Sequence, residues 1–350
     1  MAYTTINKSS EHFNTKLYTG NGSAGNAITG VGFQPDFVWI KDRDTATNHM
    51  LTDAVRGATK TLHSQNTDSE STAVNALSSF NTDGFTVNTD TDLNANNKKN
   101  VAWNWKAGTS VSGNTGGSGT AKSYSGSVNT TAGFSIIKYF GNATNGHTIP
   151  HHLGAVPKMI LVKRTNDPEN WQVYHASLGA TKFLYLDTTA AVMDNANRWY
   201  DTTPSSSYIT LGSDAVVNGG SDTYIAYCFA EKTGYSNFGS YVGNGNNNGT
   251  FVYTGFKPAF TIIKNTTTAG FDWVIDDVKR SPFNEMNNTL FANENYVEYT
   301  GGAYGIDYLS NGFKIRDDHE NYNKSGDSYI YMAFAEAPLV GTNNVPATAR

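Results

Sequence analysis

Apolar residues along this chain fall into short runs bounded by Gly, Asn, Asp and Pro, and helical periodicity is almost absent. Such runs are typical of β-strands separated by turns. A proline opens a continuous apolar run that closes on lysine at Pro35–Lys41, Pro157–Lys163 and Pro258–Lys264. Because these runs do not alternate with polar residues, they predict central strands that are covered on both faces. Proline fits the first position of such a strand, where no ladder donor is needed.

Each proline run is the first of three segments that recur in the same order. The second segment is found at His49–Asp53, Trp171–His175 and Trp273–Asp277, and the third at Val101–Trp105, Ile225–Phe229 and Ile330–Phe334. This order predicts one unit of roughly 100 residues that occurs in tandem. We therefore predict an all-β fold of three tandem β-sandwich, jelly-roll-like repeats, each with a core of its own. The repeats are placed at residues 13–108, 134–233 and 238–338.

The segments between and after the repeats have a different composition. Residues 109–133 are rich in Gly, Ser and Thr, which predicts a flexible linker. Residues 339–350 have no pattern, and we expect this tail to be disordered or to lie on a neighbouring molecule. Within the repeats, Asp83-Gly84 and Asn311-Gly312 predict hairpins with type I′ turns. A short helix is predicted at Glu70–Leu77.

Composition narrows the classes of protein to consider. Charged residues make up 16% of the chain, against about 25% in typical globular domains, and the polar surface is Asn, Thr, Ser and Gly instead. Net charge is -5 without a Lys/Arg cluster, so no nucleic-acid partner is expected. No apolar stretch approaches the roughly 20 residues of a membrane span, so no membrane insertion is expected. The first residues lack the features of a signal peptide. We therefore expect that the protein is made in the cytoplasm of a host cell and is released when that cell lyses.

Candidate reactive residues are few. The single cysteine, Cys228, excludes an intrachain disulfide, and Asn104 and Ala333 occupy its place in the other repeats, which favours a buried structural thiol. The cluster His147, His151 and His152 is a candidate metal site, but neither a carboxylate nor a cysteine is near it in sequence. A strand entry with exposed imidazoles is the favoured interpretation.

Carboxylates give no clear site either. Asp90–Asn96 places oxygen ligands at alternate positions but lacks the glycine and glutamate of a calcium loop, so a polar turn is favoured. Asp53 with Arg56, and Asp277 with Arg280, are predicted ion pairs that fix a turn. Glu231 and Glu336 occupy equivalent positions, yet no pair of carboxylates facing one cleft is evident. We predict no enzymatic activity, no catalytic residues, no cofactor and no metal.

Aromatic residues in the loops after the second segment are the remaining candidates. They are Trp199, Tyr200, Tyr296, Tyr299 and Tyr304, and the first repeat has only small and polar residues there. An exposed aromatic ring can stack on a sugar face while amides and hydroxyls bind its alcohols. The alternative is that these rings pack on the sandwich or on a neighbouring subunit.

Several longer strings resemble a repeat of virion proteins from marine tailed bacteriophages, cyanophages included. These strings are Leu17–Gly22, Gly32–Lys41, Asp53–Gly57, Val101–Gly108, Tyr227–Glu231, Gly234–Tyr241, Leu309–Phe313 and Tyr329–Glu336. The resemblance covers nearly the whole chain and implies a component of the virion surface, with other virion proteins as partners. It implies no catalytic residues.

The resulting hypothesis is a tail fibre or receptor-binding appendage that contacts host surface polysaccharide. A head-decoration or head-fibre protein with a purely structural role is the first alternative, and a polysaccharide depolymerase is the second. A homo-oligomer is expected, and a homotrimer is favoured, because identical subunits that close by cyclic symmetry bury identical patches.

Overall fold

The computed structural model describes residues 4–341 and 346–348. Strands account for 44% of the residues and helices for 6%, in several antiparallel sheets, which confirms the all-β prediction. The helices are single turns. They are α1 (Thr91–Asn94), α2 (Ala196–Trp199), α3 (Ala215–Asn218) and α4 (Glu320–Asn323), with a 3₁₀ turn at Ser9–Glu11.

The strands fall into three groups along the chain. The first group is β1 (Phe13–Thr19), β2 (Asn26–Thr29), β3 (Phe37–Asp42), β4 (Met50–Asp53), β5 (Lys60–Thr61), β6 (Ser71–Thr72), β7 (Leu77–Asn81), β8 (Gly84–Val87) and β9 (Lys99–Trp105). The second is β10 (Thr109–Asn114), β11 (Gly116–Gly117), β12 (Ser123–Asn129), β13 (Phe134–Phe140), β14 (His147–Pro150), β15 (Pro157–Arg164), β16 (Gln172–His175), β17 (Lys182–Tyr185), β18 (Met193–Asp194), β19 (Tyr208–Leu211) and β20 (Thr223–Ala230). The third is β21 (Ser236–Val242), β22 (Phe251–Tyr253), β23 (Phe256–Asn265), β24 (Trp273–Asp277), β25 (Leu290–Phe291), β26 (Ile306–Leu309), β27 (Gly312–Ile315) and β28 (Ser328–Pro338).

Each group forms one large and one small sheet; the large sheets share one strand order, and so do the small sheets of the first and third groups. The large sheets contain β1-β9-β3-β4, β13-β20-β15-β16 and β21-β28-β23-β24, and the small sheets are β2-β8-β7, β11-β14-β19 and β22-β27-β26. We call each large sheet with its small sheet a unit. Apolar side chains of the two sheets pack together, as Ile28 and Phe85 of the first small sheet do against Val38 and Ile40 of the large one. Each unit is therefore sandwich-like.

The proline runs form central strands, as predicted. All six residues of β3 are buried, and the strand lies between β9 and β4. Pro157 is the first residue of β15 and Pro258 lies inside β23, and at both positions the register with the neighbouring strand shifts. A bulge at that point needs no amide from the proline, so the ladder tolerates it.

The three large sheets also share one core, which the sequence did not predict. Ring contacts join the units in pairs: Phe37 to Tyr227 with centroids 4.4 Å apart, Phe13 to Phe334 at 4.9 Å, and Phe229 to Phe334 at 6.1 Å. Each unit thus has a core of its own between its two sheets, and the three units share a further core between their large sheets. Each large sheet is apolar on both faces, so the face turned away from the small sheet packs against the other two units.

Hydrogen bonds between the units close this arrangement into a ring. In one set, one backbone amide of each unit donates a hydrogen bond to a backbone carbonyl of the next unit. These bonds run from Glu70 to Thr165 at 2.8 Å, from Val192 to Thr266 at 3.0 Å, and from Glu298 to Arg43 at 3.0 Å. In a second set, a ring nitrogen bonds a carbonyl of the preceding unit: Trp171 to His63 at 2.8 Å, Trp273 to Tyr185 at 2.8 Å, and His49 to Phe291 at 3.0 Å. The first unit follows the third in both sets, so the threefold ring closes within one chain. The homotrimer stays a prediction.

Residues 109–133 are not the flexible linker that their composition predicted. They contain β10, β11 and β12, and β12 pairs with β13 along the edge of the second large sheet. Glycine allows neighbouring strands to approach closely here, because a Cβ at Gly126 would lie 2.4 Å from the carbonyl oxygen of Ile136. The short helix predicted at Glu70–Leu77 is also wrong, because Ser71–Thr72 pair with Lys60–Thr61 as strands.

The two predicted hairpins are present, with a different role for glycine. Gly84 and Gly312 are the first residues of β8 and β27, and they pair with Asn81 and Leu309 across the turns. A Cβ at Gly84 would lie 2.0 Å from the carbonyl oxygen of Ile28. Close packing of the neighbouring strand therefore requires glycine here, rather than the type I′ turn itself.

The described part of the tail folds back on itself. Ala347 donates its amide to the carbonyl of Leu339 at 2.9 Å, and Val340 forms a bridge with Pro346. Residues 342–345 and 349–350 of this predicted tail lie outside the described residues.

The lysines that close the proline runs are fully buried. Lys41, Lys163 and Lys264 each donate to backbone carbonyls, for example Lys163 Nζ to Glu169 at 2.7 Å and to Thr67 of the preceding unit at 3.0 Å. Burial lowers the pKa of each ammonium to about 8. Their ordinary pKa is 10.5, so between these values the folded protein binds fewer protons than the unfolded chain.

We therefore expect the free energy of unfolding to rise between pH 8 and pH 10, by on the order of 1 kcal/mol per lysine. Above pH 10 it should fall, because burial raises the pKa of tyrosines such as Tyr227 and Tyr308, which the unfolded chain would ionise. Urea midpoints at pH 7.5 and pH 9.5 measure the effect, and Lys163→Met should reduce the slope. A midpoint that falls steadily across this range would contradict the expectation.

Candidate glycan-binding surface

Three tyrosines of the third unit lie together at the surface, on the segment between β25 and β26. Tyr296 is 55% exposed, Tyr299 is 37% exposed, and Tyr304 is half-buried. The rings of Tyr299 and Tyr304 meet edge to face, with centroids 4.9 Å apart and planes at 82°. The imidazole of His319 lies 4.3 Å from the ring of Tyr304. We call Tyr296, Tyr299, Tyr304 and His319 the tyrosine cluster.

The sheet holds the cluster in place. Phe291, at the end of β25, is buried, and its ring lies 5.5 Å from that of Tyr304 and 6.5 Å from that of Tyr296. Backbone bonds of 2.9 Å in both directions join Tyr299 to Thr289. The exposed rings therefore stand on ordered backbone, and little conformational entropy is lost when a ligand covers them.

Carboxylates and amides border the rings. Asn293 donates its amide to Asp272 Oδ1 at 2.7 Å and to Glu294 Oε1 at 3.4 Å, so the two carboxylates converge on one side chain. Burial and the negative charge of Asp272 raise the pKa of Glu294, which also hydrogen-bonds Tyr296. Asn321 bonds the amide of Asp272 at 3.0 Å and is a hydrogen-bond partner of Tyr304.

This arrangement combines apolar ring faces with acceptors and donors at their rims. A pyranose offers the complementary surface, since its C–H groups pack on a ring while its hydroxyls bond carboxylates and amides. Over residues 4–341 and 346–348, no group of three or more His, Cys, Asp or Glu is placed to hold a metal ion.

Trp199, predicted as a possible sugar-stacking ring, is a core residue. Its side chain is only 2% exposed, and its ring lies 5.9 Å from Tyr174 in an edge-to-face contact. Asn195 caps the single turn α2, and Trp199, the last residue of that turn, is buried. A glycan cannot reach this ring, so the prediction for Trp199 is wrong.

Tyr200 follows at the surface of the second unit. It is 46% exposed, and it adopts a left-handed backbone conformation with φ of 49°. Its ring lies beside Gly146, and no ring contact joins it to the tyrosine cluster among the described residues. The structure thus brings together Tyr296, Tyr299 and Tyr304, whereas Tyr200 stands apart.

The other reactive candidates have structural surroundings. Cys228 is fully buried, and burial raises the pKa of its thiol to about 12. The imidazoles of His147 and His151 are buried, so the expectation that they are exposed is wrong. His147 is bonded at both nitrogens, to Asn218 at 2.8 Å and to Thr115 at 2.6 Å, which leaves neither free for a metal.

The two predicted ion pairs are present and fully buried. Arg56 bonds Asp53, and Arg280 bonds Asp277 at 2.5 Å. Asp277 also accepts the amide of Arg280 at 3.0 Å, which fixes the turn, and the indole of Trp103 from the first unit at 3.0 Å. These pairs thus link neighbouring units as well as fixing a turn.

The polar rim of the cluster was missed from the sequence. Asp272, Glu294, His319 and Asn321 come from three separate segments, and only the fold brings them beside the rings. Asn293-Glu294-Asn295 directly precedes Tyr296 in the sequence, which is the one local signal that could have drawn attention to this loop.

Comparison with protein families shows where the chain belongs. The model described as Domain of unknown function (DUF7483) matches residues 8–338, nearly the whole chain. This chain belongs to that family. The match spans all three units of the DUF7483 fold, from the 3₁₀ turn to the end of β28.

Neither the comparison with curated proteins nor the one with solved structures found a match. The description of DUF7483 names no activity, so the assignment of its site rests on the geometry given above. Within the described part of this DUF7483 chain, no helix has both the length and the apolar character that crossing a bilayer requires.

Proposed function

We propose that this chain is a non-catalytic protein of the phage particle surface that binds host surface polysaccharide through the tyrosine cluster. The observation that carries the glycan-binding part is the pair of exposed rings, Tyr296 and Tyr299, bordered by the carboxylates of Asp272 and Glu294. The placement on a virion, in a tail fibre or receptor-binding appendage, is supported by the resemblance of the repeated strings and by a polar surface poor in charge.

A single cluster of this kind binds weakly. Stacking of one sugar on one ring contributes on the order of 1 kcal/mol. Within residues 4–341 and 346–348, several exposed tyrosines lie together only in the third unit, whereas Tyr200 of the second unit stands apart, so one chain offers one such surface. Useful adhesion therefore depends on many copies that engage one polysaccharide layer together.

The double substitution Tyr296→Ala and Tyr299→Ala should weaken binding to immobilised bacterial polysaccharides about tenfold, or roughly 1.4 kcal/mol. The two residues are 55% and 37% exposed and lie outside the core, so the melting temperature should stay within about 2 °C. The measurement is binding to an array of surface polysaccharides, with thermal unfolding of each variant in parallel.

Tyr208→Ala is the matched control, because Tyr208 is 43% exposed but lies on β19 of the second unit, outside the cluster. It should bind like the unmodified protein, and Tyr200→Ala tests the ring that stands apart. Unchanged binding of the double variant, or an equal loss in Tyr208→Ala, would refute the assignment to the cluster.

A depolymerase is the second candidate, because Asp272 and Glu294 approach one another beside the rings. Glycoside hydrolysis needs two carboxylates on opposite sides of the scissile bond. We expect no release of reducing ends from the bound polysaccharide. If reducing ends appear and Glu294→Gln abolishes them, the depolymerase replaces the non-catalytic proposal.

A further inference from the structure

The third large sheet ends on β21, and in the described part of the chain the outward backbone groups at the middle of this strand, at Phe238 and Ser240, are unpaired. Ser236 exchanges hydrogen bonds of 3.0 and 3.3 Å with Lys232, so its amide and carbonyl point away from β28. In an antiparallel strand alternate residues face the same side, which places Phe238 and Ser240 outward as well. Within residues 4–341 and 346–348, no hydrogen bond reaches the backbone of Phe238 or Ser240 from that side.

The small sheet of the same unit has a matching open edge. The backbone carbonyl of Thr250 accepts from the amide of Ile315, and the backbone amide of Thr254 donates to the carbonyl of Asn311. The backbone groups of these alternate residues therefore face β27. Phe251 and Tyr253 therefore turn their backbone outward. Their side chains are also 44% and 57% exposed, so this edge has unpaired polar groups beside apolar surface.

In the second unit the chain itself covers the equivalent edges. The strand β12 pairs with β13 from Tyr124 to Asn129, and Gly116 of β11 pairs with Thr148 of β14. The positions correspond, because β13 and β21 each lie next to the strand that ends the unit, and β14 pairs with β19 as β22 pairs with β27. The connection before the third unit, residues 231–235, is too short to supply such strands.

A groove of about 480 Å³ separates the third large sheet from the second unit and reaches the edge strand at Ser240. Its other lining residues are Thr266, Thr267, Ser328, Tyr329 and Ile330 of the third unit, and Ser177, Leu178, Lys182 and Val192 of the second. A groove between β12 and the first unit is lined by residues that include Ser125, Ser127 and Val55. Val55 and Ser177 both stand two residues after the end of the second segment of their units, so the two grooves border equivalent turns.

We propose that the edge formed by β21 and β22 binds an extended, glycine- and serine-rich strand of a partner protein, as residues 109–129 cover the same edge of the second unit. Backbone hydrogen bonds supply the affinity in such strand addition. Small side chains are required, because β12 carries glycine where the neighbouring strand comes closest, as at Gly126. The site is separate from the tyrosine cluster, so the proposal does not depend on glycan binding.

The test uses a labelled peptide with the sequence of residues 121–131 as the probe, added to the full chain. We expect saturable binding, detected by fluorescence anisotropy, and slower hydrogen exchange in residues 236–242. The substitution Ser240→Pro removes an outward amide without removing a ladder bond, and it should weaken binding at least about tenfold. Ser112→Pro on the edge strand β10 is the matched control and should leave binding unchanged.

A second pair of probes leaves the protein unaltered. The backbone carbonyl of Gly133 accepts from the amide of Ala230, so the backbone groups of odd-numbered residues here point toward β20. Those of the even-numbered residues of β13 therefore point toward β12. Ser125 lies opposite an even-numbered residue, so its amide points toward β13, whereas the amide of Gly126 points away from β13. A peptide with an N-methyl group at Ser125 should lose binding, whereas one with an N-methyl group at Gly126 should keep it.

Two results would overturn the proposal. One is that the peptide fails to bind at millimolar concentration, or that both N-methylated peptides bind equally. The other is that the protein dimerises through this edge, with Ser240→Pro restoring the monomer. A second copy of the chain would then be the occupant.

Discussion

Trp105→Ala should lower the free energy of unfolding by about 3–5 kcal/mol and should destabilise all three units together. The indole lies 5.2 Å from the ring of Phe37 in its own unit, 6.3 Å from Phe229 in the second, and 5.9 Å from Phe260 in the third. A cavity at this point removes contacts from every large sheet. The change should therefore shift one cooperative transition rather than one of three.

Denaturant unfolding followed by tryptophan fluorescence, together with hydrogen exchange in β15 and β23, measures this effect. Val74→Ala is the control, because Val74 is 60% exposed and should change stability by no more than about 0.5 kcal/mol. If β23 keeps its protection while the first unit unfolds, the shared core does not couple the units.

Arg280→Ala should cost about 3–5 kcal/mol, because it leaves the carboxylate of Asp277 buried without its partner. The guanidinium also bonds Glu298 at 3.1 Å, and Glu298 bonds Arg43 of the first unit at 2.6 Å. Removal of Arg280 thus disturbs the contact through which the ring closes.

A double-mutant cycle with Asp277→Ala separates the pair from its surroundings. The double variant should be less destabilised than the sum of the two single variants, since no uncompensated charge is then left at the pair. Arg316→Ala removes a half-exposed pair with Asp307 at 3.4 Å and should cost less than about 1 kcal/mol. Equal effects of Arg280→Ala and Arg316→Ala would show that the buried network is unimportant for stability.

The central strands were predictable because the period of the chain repeats three kinds of apolar segment. Their order within each sheet and the closure of the three units into a ring were not predicted. The bonds that close it end on backbone carbonyls, as those of Trp171 and Trp273 do on His63 and Tyr185, and a carbonyl leaves no sequence signal. The glycines of residues 109–133 were misread for a similar reason, since close approach of strands and chain flexibility call for the same residue.

The candidate site was predictable only in its rings. Loop composition pointed to Tyr296, Tyr299 and Tyr304, but it gave equal weight to Trp199, which the fold buries against Tyr174. A single aromatic residue in an irregular loop has no periodicity from which its direction could be inferred. Glu294 lies two residues before Tyr296, but Asp272 comes from a separate segment, so its position beside the rings depends on the fold.

The most direct test of the glycan-binding account is hydrogen exchange of the intact protein with and without the polysaccharide that it binds best on the array. The account predicts slower exchange in residues 291–305 and 317–322, and no change in residues 236–242 or around Tyr200. Protection elsewhere on the surface, with residues 291–305 unaffected, would contradict it.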